Sequence, residues 1–254
     1  MVDQRVLITA GAAGLGREMA RAFVAAGASV FVCDIDAAAL DLLAKEIVGV
    51  KTFVCDVSKR QDIERMVSAC ADALGGIDVL INNAGIAGPT APVEKIDPDE
   101  WEKVLQVDLT GTFNVTRCAV PHLKKSKAGV IINMSSVAGR FGYANRSPYC
   151  TAKWGIVGFT KTLSIELGEF GIRANAILPG AVDGPRLQRV LAGRAEVSGK
   201  PLDVIEKEAM AVQSLKRLVD PRDIAALAVF LASDAAKSIS GQMLPIDNDM
   251  QQAS

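Results

Sequence analysis

The sequence predicts an α/β fold, in which a doubly wound, mostly parallel sheet of about seven strands carries helices on both faces. Short apolar runs alternate along the chain with stretches of helical periodicity, and this rhythm is typical of right-handed βαβ units. A glycine-rich turn follows the first apolar run. The length of 254 residues suits a single α/β domain, so we expect one domain over residues 1–254.

Seven apolar runs of strand length occur in order. Their apolar residues are continuous rather than alternating, as expected of parallel strands that are buried on both faces. The predicted strands cover residues 5–10, 28–34, 52–55, 77–81, 128–134, 172–178 and 242–247.

Helical spacing of apolar residues fills the intervals between the runs. Gly27 closes the first helix and Gly75 stops the third, while Pro221 after Asp220 starts the last one. The predicted helices cover residues 15–26, 36–48, 60–74, 98–125 and 147–168, with a further helix from residue 221.

Two segments depart from the regular alternation. The stretch 98–125 breaks near Thr110 and Gly111 and is more apolar than one buried face requires, so either core packing or a subunit interface accounts for it. Residues 181–213 are rich in charge and in helix formers. They are the natural place for a lid over a substrate.

The composition excludes several classes of function. Half of the residues are apolar, 22% are charged and the net charge is −1, so we expect no surface for nucleic acid or for an anionic membrane. The chain does not open with a basic stretch followed by a long apolar segment, and no apolar run approaches the length of a membrane span. We therefore expect a soluble cytoplasmic protein that acts on a small molecule.

Cysteine and histidine usage gives no sign of a metal site or a disulfide framework. His122 is the only histidine, and we interpret it as a surface or helix-capping residue, so no metal is expected. The cysteines are odd in number and scattered, which indicates reduced thiols. They are Cys33, Cys55, Cys70, Cys118 and Cys150.

The turn Thr9–Gly16 has the context of a dinucleotide phosphate site. It lies between a buried strand and a helix, where glycines let the backbone approach a pyrophosphate and the helix N-terminus offers free N–H groups. A merely tight turn is the alternative. At the end of the second strand, Asp34 can accept hydrogen bonds from both ribose hydroxyls and would repel the phosphate of NADP. Neither Ala13 nor Ile35 is basic, so we predict NAD, although an ordinary strand-end aspartate is the alternative.

Other polar residues follow strand ends at the same edge. Asp56 follows the third predicted strand, and 82–85 follows the fourth. Cofactors bind at the carboxyl ends of parallel strands, so both are candidate cofactor contacts.

Ser136, Tyr149 and Lys153 form a candidate proton-transfer set. The fifth strand delivers Ser136 to its carboxyl end, and Tyr149 and Lys153 are four residues apart, which puts them on one face of a helix. A phenol beside an ammonium and a hydroxyl suits proton transfer to and from an alcohol oxygen. For a lone Tyr and Lys, ordinary helix packing is the alternative, and Ser136 together with the glycine turn argues against it.

Arginines accumulate where the substrate is expected. They are Arg140 and Arg146 before Tyr149, and Arg186 and Arg189 in the lid segment. Guanidinium groups suit carboxylates, phosphates and sulfonates, which favours a small polar or anionic substrate such as a hydroxy acid, a sugar acid or a polyol. Solvated or salt-bridged arginines are the alternative, and Arg146 is the best single candidate.

Together these features resemble the short-chain dehydrogenase/reductase family. The marks stand in order over the whole chain: the turn Thr9–Gly16, Asp34, Asp56-Val57, Asn82-Asn83-Ala84-Gly85, Ser136, Tyr149, Lys153 and Pro179-Gly180. The resemblance implies a Rossmann fold and an NAD-dependent oxidoreductase that interconverts a secondary alcohol and a ketone. It also implies a homotetramer in which 98–125 and 147–168 pack against their copies.

The resemblance further implies individual roles. Ser136 orients the substrate oxygen, Tyr149 is the acid/base, and Lys153 binds the nicotinamide ribose and tunes Tyr149. The implied cofactor contacts are Gly11, Leu15 and Gly16 at the pyrophosphate, Asp34 with Ile35 at the ribose, Asp56 and Val57 at the adenine, Asn83, Ala84 and Gly85 along the cofactor, and Pro179, Gly180 and Val182 along the nicotinamide.

The chain departs from the family pattern at several positions. Ala10 stands for the first glycine of the turn, Gly184 stands where the family often has a threonine, and the common C-terminal Asp-Gly-Gly is Asp-Asn-Asp at 247–249. Asp108 stands where the family usually has an asparagine that shapes the helix and holds a water through its carbonyl. We carry Asp108 over as a catalytic candidate because the carbonyl remains.

Two other functions stay open. A 3-oxoacyl-thioester reductase belongs to the same family, but such reductases commonly use NADPH, which Asp34 disfavours. A non-catalytic dinucleotide-binding sensor or scaffold needs only the glycine turn, so the intact Ser136, Tyr149 and Lys153 set argues against it, while Asp108 leaves it open.

Overall fold

The computed structural model describes residues 3–252, so the outermost residues of the predicted domain, 1–2 and 253–254, lie outside the described part. The strands are β1 (Arg5–Thr9), β2 (Ser29–Asp34), β3 (Lys51–Val54), β4 (Val79–Asn82), β5 (Val130–Met134), β6 (Arg173–Pro179) and β7 (Met243–Ile246). The α-helices are α1 (Gly14–Ala25), α2 (Ala37–Glu46), α3 (Arg60–Leu74), α4 (Pro98–Leu105), α5 (Gly111–Leu123), α6 (Ser147–Glu166), α7 (Pro185–Ser198), α8 (Leu202–Ala211) and α9 (Pro221–Ala232).

The strands form one parallel sheet in the order β3-β2-β1-β4-β5-β6-β7. Leu7 of β1 pairs with Phe31 of β2 on one side and with Leu80 of β4 on the other. The chain thus builds outward from β1 in one direction and then in the other. The predicted doubly wound α/β class is confirmed, and the continuous apolar runs are explained because helices cover both faces.

Each face of the sheet has its own apolar core. On one face, α1, α2 and α9 pack on the strands through residues such as Phe23, Leu40 and Ile224. On the other face, α3, α5 and α6 do so through residues such as Ile63 and Leu163.

Aspartates set the starts of three helices. The side chains of Asp36, Asp97 and Asp220 each accept a hydrogen bond from a backbone N–H in the first turn of α2, α4 and α9 respectively. Proline follows Asp97 and Asp220 directly, where its missing N–H costs nothing. These caps fix where the helices leave the loops at the edge of the sheet.

The predicted break in 98–125 is a π turn rather than an interruption. Residues Gln106–Thr110 form this turn and join α4 to α5. The turn buries Asp108, and Gly111 follows it, where an added Cβ would lie 2.8 Å from the carbonyl oxygen of Val57. The wider turn therefore brings a charged side chain toward the sheet.

The segment 181–213 forms α7 and α8, which pack on each other around a small apolar cluster of Leu191, Ile205 and Ala209. Isolated bridges link the segment's flanks to the rest of the chain, from Val182 to Val219 and from Gln213 to Met250. The helices stand at the carboxyl edge of the sheet, where a lid was expected.

Candidate active site

A cleft of about 680 Å³ opens at the carboxyl edge of the sheet. Its walls come from the glycine turn after β1, the loops after β4, β5 and β6, the start of α6, and α7. The order of the strands reverses between β1 and β4. Ligands of open α/β sheets bind at such a reversal, so the topology places the cleft where a cofactor is expected.

The glycine turn is held tightly against the end of β4. The side-chain Nδ2 of Asn83 donates hydrogen bonds to the carbonyl oxygens of Thr9 and Ala10, at 3.1 and 2.9 Å. An added Cβ at Gly16 would meet the carbonyl oxygen of Ala10 and would lie 2.6 Å from the Cα of Gly11. Gly11 and Gly16 therefore shape the turn from behind rather than line the cleft.

The N-terminus of α1 is prepared for an anion. The N-cap residue Ala13 offers no side-chain cap, and the first turn of α1 contains no acidic residue. The free N–H groups and the positive end of the helix dipole are therefore available at the cleft, where Gly14 and Leu15 form the wall.

Asp34 lines the cleft at the end of β2. Its Oδ2 accepts a hydrogen bond from the N–H of Ala12 at 3.0 Å, and its Oδ1 accepts one from Asp36 at 3.2 Å. The carboxylate is thus anchored to the glycine turn. Ile35 is 68% exposed and does not line the cleft.

The other predicted cofactor contacts divide into two groups. Asp56, Val57 and Ala84 lie behind the wall: Asp56 accepts hydrogen bonds from the N–H and hydroxyl of Ser58, and the N–H of Ala84 donates to the hydroxyl of Thr9. Although burial opposes it, the bonding from Ser58 holds the pKa of Asp56 below its usual range. The residues in the wall are Asn83, Gly85, Pro179, Gly180 and Val182.

The loop after β5 is anchored to α6 where Ser136 enters the cleft. The hydroxyl of Ser135 donates to the carbonyl oxygen of Lys153 at 2.8 Å. Ser136 lines the cleft, and its Oγ accepts from the N–H of Ala138 at 3.1 Å. This acceptor role leaves the hydroxyl proton of Ser136 free to be donated to an oxygen in the cleft.

Three cationic side chains surround the ring of Tyr149. The guanidinium carbons of Arg146 and Arg186 lie 5.1 and 5.6 Å from the ring centroid, and the Nζ of Lys153 lies 5.5 Å from it. All four residues line the cleft. The ring of Tyr149 is therefore enclosed by positive charge inside the cleft.

Lys153 is 4% exposed and lies between two acceptors. Its Nζ donates to the carbonyl oxygen of Met134 at 3.2 Å and lies 3.2 Å from the Oδ2 of Asp108, with which it forms an ion pair. The ammonium is therefore fixed between the end of β5 and the π turn.

Asp108 is fully buried. Its Oδ1 accepts a hydrogen bond from the N–H of Ile86 at 2.7 Å, and its carbonyl oxygen accepts one from the hydroxyl of Thr112 at 2.8 Å. The side chain, rather than the carbonyl emphasised by the family resemblance, is what reaches Lys153. The sequence did not predict this ion pair.

The predicted substrate arginines do not all reach the cleft. Arg146 is 6% exposed, and its guanidinium donates to the carbonyl oxygen of Ala87 at 2.8 Å and to the hydroxyl of Thr90 at 3.3 Å. Burial, with the nearby charge of Arg186, lowers the pKa of Arg146, which still stays charged because arginine titrates so high. Arg186 and Arg189 line the cleft, and Arg186 donates to the carbonyl oxygen of Gly85.

Arg140 corrects one expectation about the substrate mouth. Its Nη1 lies 3.8 Å from the Oδ2 of Asp247, and its guanidinium carbon lies 4.7 Å from the ring centroid of Phe141. It is absent from the cleft wall. Arg140 thus forms an ion pair with Asp247 outside the cleft wall. For this residue, the alternative interpretation of a salt-bridged arginine applies.

The wall residues Arg194 and Met250 were not predicted from the sequence. Arg194 lines the cleft eight residues after Arg186 on α7, and this two-turn spacing was an available signal. Tyr143 and Met250 also line it, and the Tyr143 hydroxyl donates to the Met250 sulfur at 3.0 Å. Burial raises the pKa of Tyr143 to about 12, so it stays neutral. No local pattern places Met250 there, because the contact joins distant parts of the chain.

A phosphate-binding turn, a carboxylate beside it and a Ser/Tyr/Lys set at the other end of one cleft characterise an oxidoreductase that uses a nicotinamide dinucleotide. The uncapped start of α1, whose free N–H groups face the cleft, fits the pyrophosphate of such a cofactor. Residues 3–252 contain no cluster of three or more histidine, cysteine, aspartate or glutamate side chains that could hold a metal ion. None of the helices formed by these residues has both the length and the apolar character for crossing a membrane.

Comparison with known proteins agrees with this class. A family model described as enoyl-(acyl carrier protein) reductase matches residues 10–250. The D-beta-hydroxybutyrate dehydrogenase of Cupriavidus necator is 37% identical over 246 residues, covering 95% of each chain. The chain belongs to the short-chain dehydrogenase/reductase family.

Solved structures support the same assignment. A NAD+-bound xylitol dehydrogenase matches with a TM-score of 0.93 and 28% identity, over 96% of this chain and 98% of that one. A point variant of actinorhodin polyketide ketoreductase with NADPH matches with a TM-score of 0.92 and 31% identity, over 98% of both chains. Relatives of this fold thus bind either form of the dinucleotide.

Proposed function

We propose that the protein is an NAD(H)-dependent oxidoreductase that interconverts a secondary alcohol and a ketone on a small anionic substrate, with Tyr149 as the acid/base. The observation that carries this proposal is the position of Tyr149 in the cleft, flanked by Lys153, Arg146 and Arg186. The relatives named above that act on hydroxybutyrate and xylitol support the alcohol chemistry.

In this mechanism, Tyr149 as phenolate takes the hydroxyl proton of the alcohol, and Ser136 donates a hydrogen bond that fixes the same oxygen. The cleft would hold the oxidised nicotinamide beside these groups, and this ring would supply the acceptor for the hydride of the carbinol carbon. Lys153 holds positive charge beside the phenolate while the proton moves. In the direction of reduction, Tyr149 returns the proton to the oxygen.

The proposed preference for NAD rests on Asp34. The N–H of Ala12 holds its carboxylate at the glycine turn. At that position the carboxylate can accept hydrogen bonds from the ribose hydroxyls, and it repels a phosphate on the ribose. The flanking positions Ala13 and Ile35 supply no positive charge for that phosphate.

The proposed anionic substrate rests on the arginines of the wall. Arg146 is buried and donates hydrogen bonds to two uncharged oxygens, and Arg186 donates one to a carbonyl oxygen. A buried guanidinium without a carboxylate on it is costly unless an anion joins it. A hydroxy acid or sugar acid would supply that anion beside the oxygen that Tyr149 and Ser136 bind.

The test is a screen of hydroxy acids, sugar acids and polyols with NAD+ and NADP+ in parallel, following formation of the reduced dinucleotide. We expect turnover with NAD+ and an anionic alcohol. Tyr149→Phe should still bind NADH but lose about a thousandfold in kcat. Activity of Tyr149→Phe within about tenfold of the wild type would remove Tyr149 from the acid/base role.

A 3-oxoacyl-thioester reductase is the second candidate, because a 3-oxoacyl-[acyl-carrier-protein] reductase of Thermotoga maritima is 35% identical to this chain over 248 residues, covering 96% of each chain. The same screen with a 3-oxoacyl thioester and NADPH separates the two functions. Faster turnover of that pair than of any alcohol with NAD+ would favour the reductase. Dinucleotide binding without turnover of any substrate would favour a sensor or scaffold instead.

We also propose a homotetramer in a reducing, cytoplasmic compartment. Phe113 on α5 and Trp154 on α6 are 47% and 50% exposed, and the described cysteines are all free thiols. Apolar exposure on neighbouring helices is typical of an interface. Light scattering that gives the mass of one chain at micromolar concentration would overturn the assembly.

A further inference from the structure

We infer that the carboxylate of Asp108 shifts the affinity of the cleft away from the reduced dinucleotide and toward the oxidised one, and so lowers the reduction potential of the bound cofactor. The inference rests on the proposed use of a nicotinamide dinucleotide. It assigns a function to the charge on Asp108, where the family resemblance assigns one only to the backbone.

The first observation is that this negative charge is fixed inside the protein. Asp108 is fully buried at the π turn, and the N–H of Ile86 and the ammonium of Lys153 hold its two oxygens. A charge so enclosed is screened little by water or salt. Its removal would therefore change the charge behind the cleft by one unit that solvent does little to screen.

The second observation is that the ion pair lies directly behind the cleft wall. An added Cβ on Gly85 would lie 2.9 Å from the Oδ2 of Asp108 and 3.1 Å from the Nζ of Lys153. Gly85 and Lys153 both line the cleft. The carboxylate is therefore separated from a bound ligand by the thickness of one glycine backbone.

The third observation concerns the charges that face this part of the cleft. Arg146, Lys153 and Arg186 converge on the ring of Tyr149, and all three are cationic. An oxidised nicotinamide ring is positive, whereas a reduced one is neutral, so three cations alone would favour the reduced form. The carboxylate of Asp108 offsets part of this positive potential and so shifts the balance toward the oxidised form.

The experiment measures the dissociation constants of NAD+ and NADH for the wild type and for Asp108→Asn, by calorimetric titration without substrate. An asparagine keeps the shape and the oxygen that Ile86 bonds, but it removes the charge. We expect the ratio Kd(NAD+)/Kd(NADH) to rise about tenfold. A tenfold rise corresponds to a potential about 30 mV higher for the bound two-electron couple.

The matched control is Asp203→Asn. Asp203 also pairs with a lysine, Lys207, at 3.1 Å, but its side chain is exposed on α8 and the pair is absent from the cleft wall. Water screens that pair, so the ratio should stay within about twofold of the wild type. Asp108→Ser provides a second neutral variant should the asparagine variant fail to fold.

The possible outcomes separate this inference from the proposed function. An unchanged ratio, whether both dissociation constants change equally or neither changes, would overturn the inference alone. Failure of the wild type to bind any of NAD+, NADH, NADP+ and NADPH would overturn both the proposed function and the inference. Tighter binding of NADP+ and NADPH would overturn only the choice of NAD, and the ratio of dissociation constants would then be measured with NADP+ and NADPH.

Discussion

The guanidinium of Arg146 lies over the ring of Tyr149, with its carbon 5.1 Å from the ring centroid, and is buried there without a carboxylate among its bonded partners. The residue begins the turn that leads into α6, three positions before Tyr149. The same element thus supplies the phenol and the positive charge nearest to it. A substrate whose alcohol oxygen reaches Tyr149 would bring an anionic substituent within reach of Arg146.

Arg146→Gln should therefore act selectively on charged substrates. A hydrogen bond to a charged group contributes about 1.5–3 kcal/mol, so KM for an anionic alcohol should rise by roughly ten- to a hundredfold, while KM for a neutral alcohol changes little. Steady-state kinetics with a matched pair of substrates provides the measurement. Arg140→Gln is the control, because Arg140 pairs with Asp247 outside the cleft wall. Equal increases for both substrates would contradict substrate binding by Arg146.

Asp34→Asn should weaken the discrimination between NAD+ and NADP+. The amide keeps the oxygen that the N–H of Ala12 bonds, but it no longer repels a ribose phosphate and is a poorer acceptor for hydroxyls. The ratio of kcat/KM for the two dinucleotides should fall at least about tenfold. The control is Asp36→Asn, at the exposed N-cap of α2. An unchanged ratio in Asp34→Asn would place the selectivity elsewhere.

Asp78→Asn should destabilise the fold in a pH-dependent way. Burial tends to raise the pKa of Asp78, but hydrogen bonds from Arg5 and Ser126 outweigh it and hold the pKa below the usual value. A depressed folded-state pKa contributes stability above the unfolded-state value of about 4, and this contribution is lost as pH falls through the folded-state pKa. The substitution should cost about 2 kcal/mol at neutral pH.

Urea unfolding between neutral and acidic pH tests this expectation. The difference between wild type and Asp78→Asn should narrow as the pH falls below about 4. Asp62→Asn removes a carboxylate from an exposed pair with Arg65 on α3, and it should cost only a few tenths of a kcal/mol. A constant difference across the pH range would mean that the ion pair with Arg5 does not hold the pKa down.

The glycine turn allows a paired test of backbone strain. Ala10 has a φ of 49° and Gly14 has a φ of 53°, both in the left-handed region. No atom lies within 4 Å of a Cβ added to Gly14, so Gly14→Ala should cost about 1 kcal/mol through conformation alone. Ala10→Gly should stabilise by roughly 0.5 kcal/mol, because relief of the strain exceeds the entropy gained by the unfolded chain. The same sign for both variants in urea unfolding would contradict this account.

The sequence was sufficient for the seven strands and for most of the helices, because each of these depends on local patterns. Buried parallel strands read as continuous apolar runs, and aspartates followed by proline mark the starts of α4 and α9. Tyr149 and Lys153 could be placed on one face of α6 from their spacing alone. Asp34 could be placed at the cleft because it follows a strand, and the carboxyl ends of parallel strands all meet at the edge of the sheet where ligands bind.

The rest depends on contacts between distant segments, which no local pattern records. The pairing of Arg140 with Asp247 and the hydrogen bond from Tyr143 to Met250 both join the loop before α6 to the segment after β7. The ion pair of Asp108 with Lys153 joins the π turn to α6. A sequence shows that such side chains exist, but only the packing of the elements decides which partner each one meets.

The ion pair between Asp108 and Lys153 depends on the number of residues in the π turn at Gln106–Thr110. A π turn holds one residue more than an α-helical turn, and each residue of an α-helix rotates the side chains by about 100°. Deleting one residue there would restore regular winding and turn Asp108 away from Lys153, with every other residue type retained. The charge behind the cleft is thus set by a count of residues between two helices as much as by the presence of an aspartate.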